Sequence, residues 1–186
     1  MKDILSRYAR TVDNRVVIDV YTERLEDLYN DFDKNAPYMK KDLDPEFVDY
    51  LIGCAGEVGK RPFTIRINVP SPPSDEAASR VRKSIPSYFE YLRSSEERDM
   101  RKVLRTSATL LVIGLAILVL SVWAHQTFLP PESLAGKVMA EGLTVAAWVS
   151  LWEALVNFLI NWPPHSKELK LYRRLAEAPV DFQQVS

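Results

Sequence analysis

Cysteine occurs once in the 186 residues, as Cys54. A disulfide within the chain and any multi-cysteine metal site within it are therefore excluded. Cys54 is expected in a helix core, as a small apolar residue rather than a reactive thiol. Histidine occurs twice and glycine six times. They form no His-rich metal motif and no glycine-rich phosphate loop, and no Ser or Cys nucleophile elbow is present. A formal net charge of −1 leaves no general basic field for nucleic acid. The N-terminal MKDILSRYARTVDNRVVIDVY lacks the apolar core and small-residue cleavage site of a signal peptide. The expectation is a non-enzymatic protein with no cofactor and no nucleic-acid partner.

Charge is also missing locally. Thr106 to Pro131 contains no Asp, Glu, Lys or Arg. Val138 to Trp162 is again apolar, except for Glu141 near its start and Glu153 near its centre. An α-helix needs about 20 apolar residues to cross a bilayer. Two crossings are expected, over 106–129 and 138–162, with a 130–137 loop between them. Pro130 and Pro131 are expected to end the first helix, and Pro163 and Pro164 the second.

Basic residues flank this hairpin unequally. Arg98, Arg101, Lys102 and Arg105 precede it, and Lys167, Lys170, Arg173 and Arg174 follow it, whereas the loop carries only Lys137. The positive-inside rule then expects both termini in the cytoplasm and the loop outside, in a plasma (inner) membrane. Trp123 and Trp162 fall near the expected interfaces, where indole rings prefer to sit.

Residues 1–93 read as a cytoplasmic α/β domain in the order strand-helix-helix-strand-helix. Val16, Ile18 and Val20 mark one strand. Phe63, Ile65, Ile67 and Val69, alternating with Thr64, Arg66 and Asn68, mark another. Leu25, Leu28, Tyr29 and Phe32 have helical spacing, as do Phe47, Tyr50, Leu51, Cys54 and Val58. Asp44-Pro45-Glu46 reads as a helix start and Gly59 as a stop. Two strands do not make a stable sheet. Completion by a neighbouring subunit is expected, with Ile4 to Tyr8 as the other candidate source. Val81, Ile85, Tyr88, Phe89 and Leu92 form an apolar stripe in which Pro86 predicts a kink or break. Residues 94–105 form a charged connecting helix, and 163–186 a basic tail expected on the inner leaflet, with packing back on the cytoplasmic domain as the alternative.

On a helical wheel Ser150, Glu153, Asn157 and Asn161 share a sector of roughly 80° in the second crossing. Three uses compete: a pore lining with Glu153 as a ring of carboxylates, polar glue between helices, and a proton relay. Ser107, Gly114 and Ser121 recur every seven residues in the first crossing, a seam of small side chains for close helix packing. Asp31, Asp33, Asn35 and Asp42 have calcium-loop spacing, but Ala36 stands where the loop needs Gly and Asp42 where it needs Glu, so the metal site is weak. The functional expectation is an oligomeric membrane protein with a cytoplasmic sensing or docking domain, forming a cation-permeable pore along the polar stripe. Its alternative is a non-conducting anchor or scaffold subunit for a soluble partner. The partners expected are the lipid bilayer, further copies of the chain and a cytoplasmic protein.

Overall fold

A computed structural model describes residues 4–30, 42–127 and 134–185. The chain runs through strand β1 (Val16–Tyr21), helix α1 (Pro45–Val58), strand β2 (Phe63–Val69), helix α2 (Asp75–Thr127), helix α3 (Leu134–Val156), helix α4 (Trp162–Ala176) and strand β3 (Val180–Gln184). It divides into two units. One comprises Met1–Ser95 with Glu168–Ser186, and the other Glu96–Lys167.

Alternation places Val16, Ile18 and Val20 of β1 and Phe63, Ile65, Ile67 and Val69 of β2 in one buried cluster. Val180 of β3 joins them, with Phe182 packed against it. The sheet is parallel throughout, in the order β1-β2-β3. Phe47, Val48, Leu51, Ala55 and Val58 of α1, Val81, Ile85 and Phe89 of α2, and Leu175 of α4 complete the core. The opposite face carries a row of alternating charge, Asp19 opposite Arg66 opposite Asp181, with Arg66 and Asp19 3.7 Å apart.

The third strand corrects the expectation of a sheet completed by a neighbouring subunit. It comes from the chain's own C-terminal segment. Ile4–Arg7, the other candidate source, forms a short 3-10 turn. Upstream of β1, Arg10 makes a single antiparallel bridge to Val16. The basic tail is likewise corrected: Leu175 is fully buried, and Leu171 and Tyr172 pack on the core. Because β2 and β3 are parallel, a crossover must join them. That crossover is residues 70–179, so the second unit is an insertion inside it.

Three further expectations change. The pattern at Leu25 to Phe32 yields only a 3-10 turn, Leu25–Leu28, among the described residues. Tyr29 is extended and pairs in an isolated antiparallel bridge with Leu43, which draws the backbone out of a helix there. Pro86 does not interrupt α2, which is helical from Asp75 to Thr127 and thus absorbs the connecting segment 94–105. An interior proline costs about 3 kcal/mol. Ile85 and Phe89 beside it are fully buried, and each such side chain contributes roughly 1.5–3 kcal/mol, enough to hold the helix through the proline. Pro163 and Pro164 do not end the helix of the second apolar segment either. They sit in the first turn of α4, directly after a π-helical segment, Asn157–Asn161. A proline ring clashes with the carbonyl four residues earlier, here those of Leu159 and Ile160, and the wider π turn displaces those carbonyls.

The start of α1 follows the sequence reading. Asp44 Oδ1 accepts from the backbone N–H of Glu46 at 2.9 Å and of Phe47 at 3.1 Å, Pro45 opens the helix, and Gly59 closes it at a φ of 66°. Cys54 lies in this helix, 9 % exposed. Asp44→Ala is expected to cost about 1 kcal/mol, read as a lower urea midpoint with an unchanged m-value.

Candidate functional site

Two helices are long and apolar enough to cross a membrane. In each, only 11 % of the most apolar 18-residue stretch is buried within the protein. The described residues therefore leave most of these surfaces uncovered. Val112, Val119, Val122, Val145, Trp148, Val149, Trp152 and Ile160 are among the exposed apolar side chains.

The helices of the hairpin meet along small residues. Ser107 is buried at 6 % exposure, Ala147 at 0 % and Ala154 at 5 %. Gly114 is buried, and a Cβ added there would lie 3.1 Å from Leu151 Cγ and 3.2 Å from Ser150 Cβ. Ser121 is half-buried. Ala147 and Ala154 stand seven residues apart, the same repeat that carries Ser107, Gly114 and Ser121 on α2. Sequence reading missed them because alanine is unremarkable in an apolar helix; their heptad spacing was the available signal. Gly114→Ile is expected to force the helices apart and lower the melting temperature in detergent, with a much smaller loss for Gly114→Ala.

The polar residues of the second apolar helix do not share one environment. Ser150 is half-buried, touches Gly114, and donates from Oγ to the Ala146 carbonyl at 3.0 Å. Its hydroxyl is thus satisfied within its own helix, as are those of Ser107, bonded to Val103 O at 3.0 Å, and Thr109, bonded to Arg105 O at 2.9 Å. Asn157 is half-buried and has a partner. Glu153 is exposed, and among the described residues it has no hydrogen bond or ion pair. Asn157 and Asn161 bound the π segment, where backbone bonding changes from i→i+4 to i→i+5. The side chain of Asn161 lies outside the described residues.

Asp31, Asp33 and Asn35 also lie outside the described residues. Asp42 lies within them, and its carbonyl accepts from Asn30 N–H at 2.9 Å. Among the described residues no cluster of side chains could hold a metal ion.

Two features were not legible beforehand. His165, which has no obvious partner in the sequence, pairs through Nδ1 with Glu96 Oε1, 69 residues away on α2. In the sheet-bearing unit a cleft of about 340 Å³ opens between Arg7, Tyr8, β1 and α1, lined by Asp19, Asp49, Tyr50, Cys54 and Glu57 among others. Tyr8 donates to Glu57 Oε2 at 2.7 Å and Tyr50 to the Asp19 carbonyl at 2.8 Å. Burial, then the hydrogen bond to Glu57, pushes the Tyr8 phenol far up, and burial with the Cys54 contact pushes Tyr50 up to about 12. Neither phenol ionises near neutral pH.

Comparison with known proteins gives no match: no family model, no curated protein and no solved structure is significantly similar to the chain.

Proposed function

We propose that this is a two-pass integral membrane protein whose copies associate through the outward side of α3 bearing Glu153, with the soluble α/β unit on the cytoplasmic side as a docking or sensing module. The observation that carries this reading is the exposed Glu153 carboxylate on an otherwise apolar helix surface. An ionised side chain at the centre of a bilayer-spanning helix costs about 2.5–3.5 kcal/mol even on the mildest scale. An interhelical hydrogen bond in a membrane returns about 0.6–2 kcal/mol, and burying the carboxyl between copies removes it from lipid as well. Both terms favour association over an isolated hairpin.

The sheet supports the topology. Strands on either side of the hairpin, β2 and β3, are hydrogen-bonded neighbours, which favours both flanks on one side of the bilayer. The basic flanks assign that side to the cytoplasm.

Native mass spectrometry of the full chain in lipid nanodiscs tests the association. Wild type is expected as a multimer, Glu153→Gln close to it, and Glu153→Leu shifted toward monomer by about tenfold or more in affinity, the equivalent of ~1.4 kcal/mol. A strictly monomeric wild type contradicts the reading. Conduction is the narrower version of the same proposal. It is favoured by the unpaired carboxylate, which in an assembly of copies forms a ring attractive to cations. The self-satisfied Ser150 and the half-buried Asn157 favour instead a glue role for the rest of the stripe. Cation flux into vesicles that is present in wild type and lost in Glu153→Gln selects the pore. Absence of flux in both selects the scaffold.

A further inference from the structure

Helix α2 carries its last charges in one row. Arg98, Arg101, Lys102 and Arg105 stand at i, i+3, i+4 and i+7, directly before the charge-free Thr106. At about 100° per residue they share a sector of about 100°. All four are exposed. Among the described residues Arg98, Lys102 and Arg105 enter no ion pair. Arg101 reaches only Glu97, at 3.6 Å on the exposed surface, a contact of little strength. The nearby acids Glu96, Glu97 and Asp99 fall outside the sector.

The other side of α2 fixes where this row points. Ser107 and Gly114 are buried, and Gly114 lies against Ser150 and Leu151 of α3. On the same wheel that packed seam stands about 170° from the centre of the basic row. The row therefore faces away from the hairpin partner. Carried up the helix, its sector runs through Val112 and Val119, each 65 % exposed, and Leu120, 53 % exposed. One continuous outward surface is thus cationic at its base and apolar above.

We propose that this surface binds anionic phospholipid of the cytoplasmic leaflet. Arg98, Arg101, Lys102 and Arg105 hold the headgroup phosphates, and the acyl chains lie along Val112, Val119 and Leu120. Charge complementarity selects the occupant: four cations without counter-charge on their own face attract an anionic headgroup, and the apolar stripe above them suits its chains. The dimensions agree. Arg98 to Arg105 covers about 10 Å of helix, and a headgroup layer is roughly 5–7 Å deep, so the row spans that layer and its aqueous edge. The proposal rests on the membrane-inserted reading of the hairpin and is independent of association through Glu153.

The test reconstitutes the full chain in phosphatidylcholine vesicles with a trace of spin-labelled phosphatidylglycerol or spin-labelled phosphatidylcholine. Lipid held on the protein gives a motionally restricted component in the electron spin resonance spectrum. Wild type is expected to prefer phosphatidylglycerol by about fivefold, the effect of one basic residue near an anionic surface. That preference is expected to disappear near 1 M salt, where the screening length falls to about 3 Å. Arg101→Gln/Lys102→Gln/Arg105→Gln is expected to restrict both lipids equally while restricting phosphatidylcholine as much as wild type, the sign that its hairpin is still inserted. Arg101→Lys/Arg105→Lys, which keeps the charge, is expected to keep the preference. Equal restriction of both lipids by wild type, or a preference that survives in the triple variant, overturns the proposal and leaves the inserted hairpin standing. No restricted component with either lipid overturns both.

Discussion

Deleting residues 180–186 is expected to unfold the sheet-bearing unit, not to trim an idle tail. Strand β3 accounts for one of the two ladders of the sheet. Ile65 N–H donates to the Pro179 carbonyl at 2.9 Å and Val185 N–H to the Val69 carbonyl at 3.1 Å. Arg82 ties the same strand to α2, with Nε on the Val180 carbonyl at 3.1 Å and its guanidinium 5.4 Å from the Phe182 ring centre. Without β3 the central strand becomes an edge and its backbone groups lose their partners, each at about 1–3 kcal/mol where they stay buried. What remains is a two-stranded sheet, too small to stand alone. Amide exchange at Ile65 and Ile67 measures this directly. Protection that drops to the level of exposed backbone is the expected outcome; full protection in the truncated protein rules out the third strand.

Phe89→Ala is expected to cost about 3–5 kcal/mol, the range for deleting a fully buried aromatic side chain. That is a large part of the 5–15 kcal/mol that holds a typical domain together. Phe89 is completely buried and lies at the junction between segments from either end of the insertion. Its ring is stacked on Tyr172 of α4, with centroids 6.4 Å apart, and meets Tyr88 edge-on at 5.9 Å. Chemical denaturation of the single variants and of Phe89→Ala/Tyr172→Ala gives the coupling between α2 and α4. About 0.5–1.5 kcal/mol is expected for an aromatic pair. Zero coupling, with Tyr172→Ala costing nothing, would return the α4 segment to the surface of the bilayer.

Both predictions rest on the part of the fold that was hardest to read in advance. The strands at Val16 and Phe63 were legible because alternation is direct evidence of a sheet with one buried face. The start of α1 was legible because Asp44, Pro45 and Glu46 combine three local signals. The third strand was not. Val180 and Phe182 give only two apolar positions in Val-Asp-Phe-Gln-Gln, and only tertiary pairing with β2 turns them into a strand. The basic character of α4 favoured a lipid surface, whereas Leu171, Tyr172 and Leu175 are spent on the core. Prolines misled in both helices for a related reason. Their local penalty is fixed, and packing at Ile85 and Phe89, or a π turn ahead of Pro163, offsets or sidesteps it.

The hairpin shows the same division. Charge depletion and small-residue spacing mark α2 and α3 without any structure. An ideal wheel grouped Ser150, Glu153, Asn157 and Asn161, but a wheel has no information about where the other helix lies. With α2 in position, Ser150 turns toward Gly114 and Glu153 faces away, so the stripe divides. The Glu96–His165 pair was invisible for a simpler reason: residues 69 apart meet only once the chain has gone out and back.

The central claim is that the apolar hairpin is an insertion in one parallel sheet, with both of its bases on the same side of a membrane. Single cysteines at Arg98→Cys, Lys167→Cys and Lys137→Cys, each in a Cys54→Ala background, test it with a membrane-impermeant thiol reagent on sealed vesicles of known orientation. Positions 98 and 167 are expected to label from the same face, and position 137 from the opposite face. Labelling of 98 and 167 from opposite faces, or of all three from one, would contradict the account.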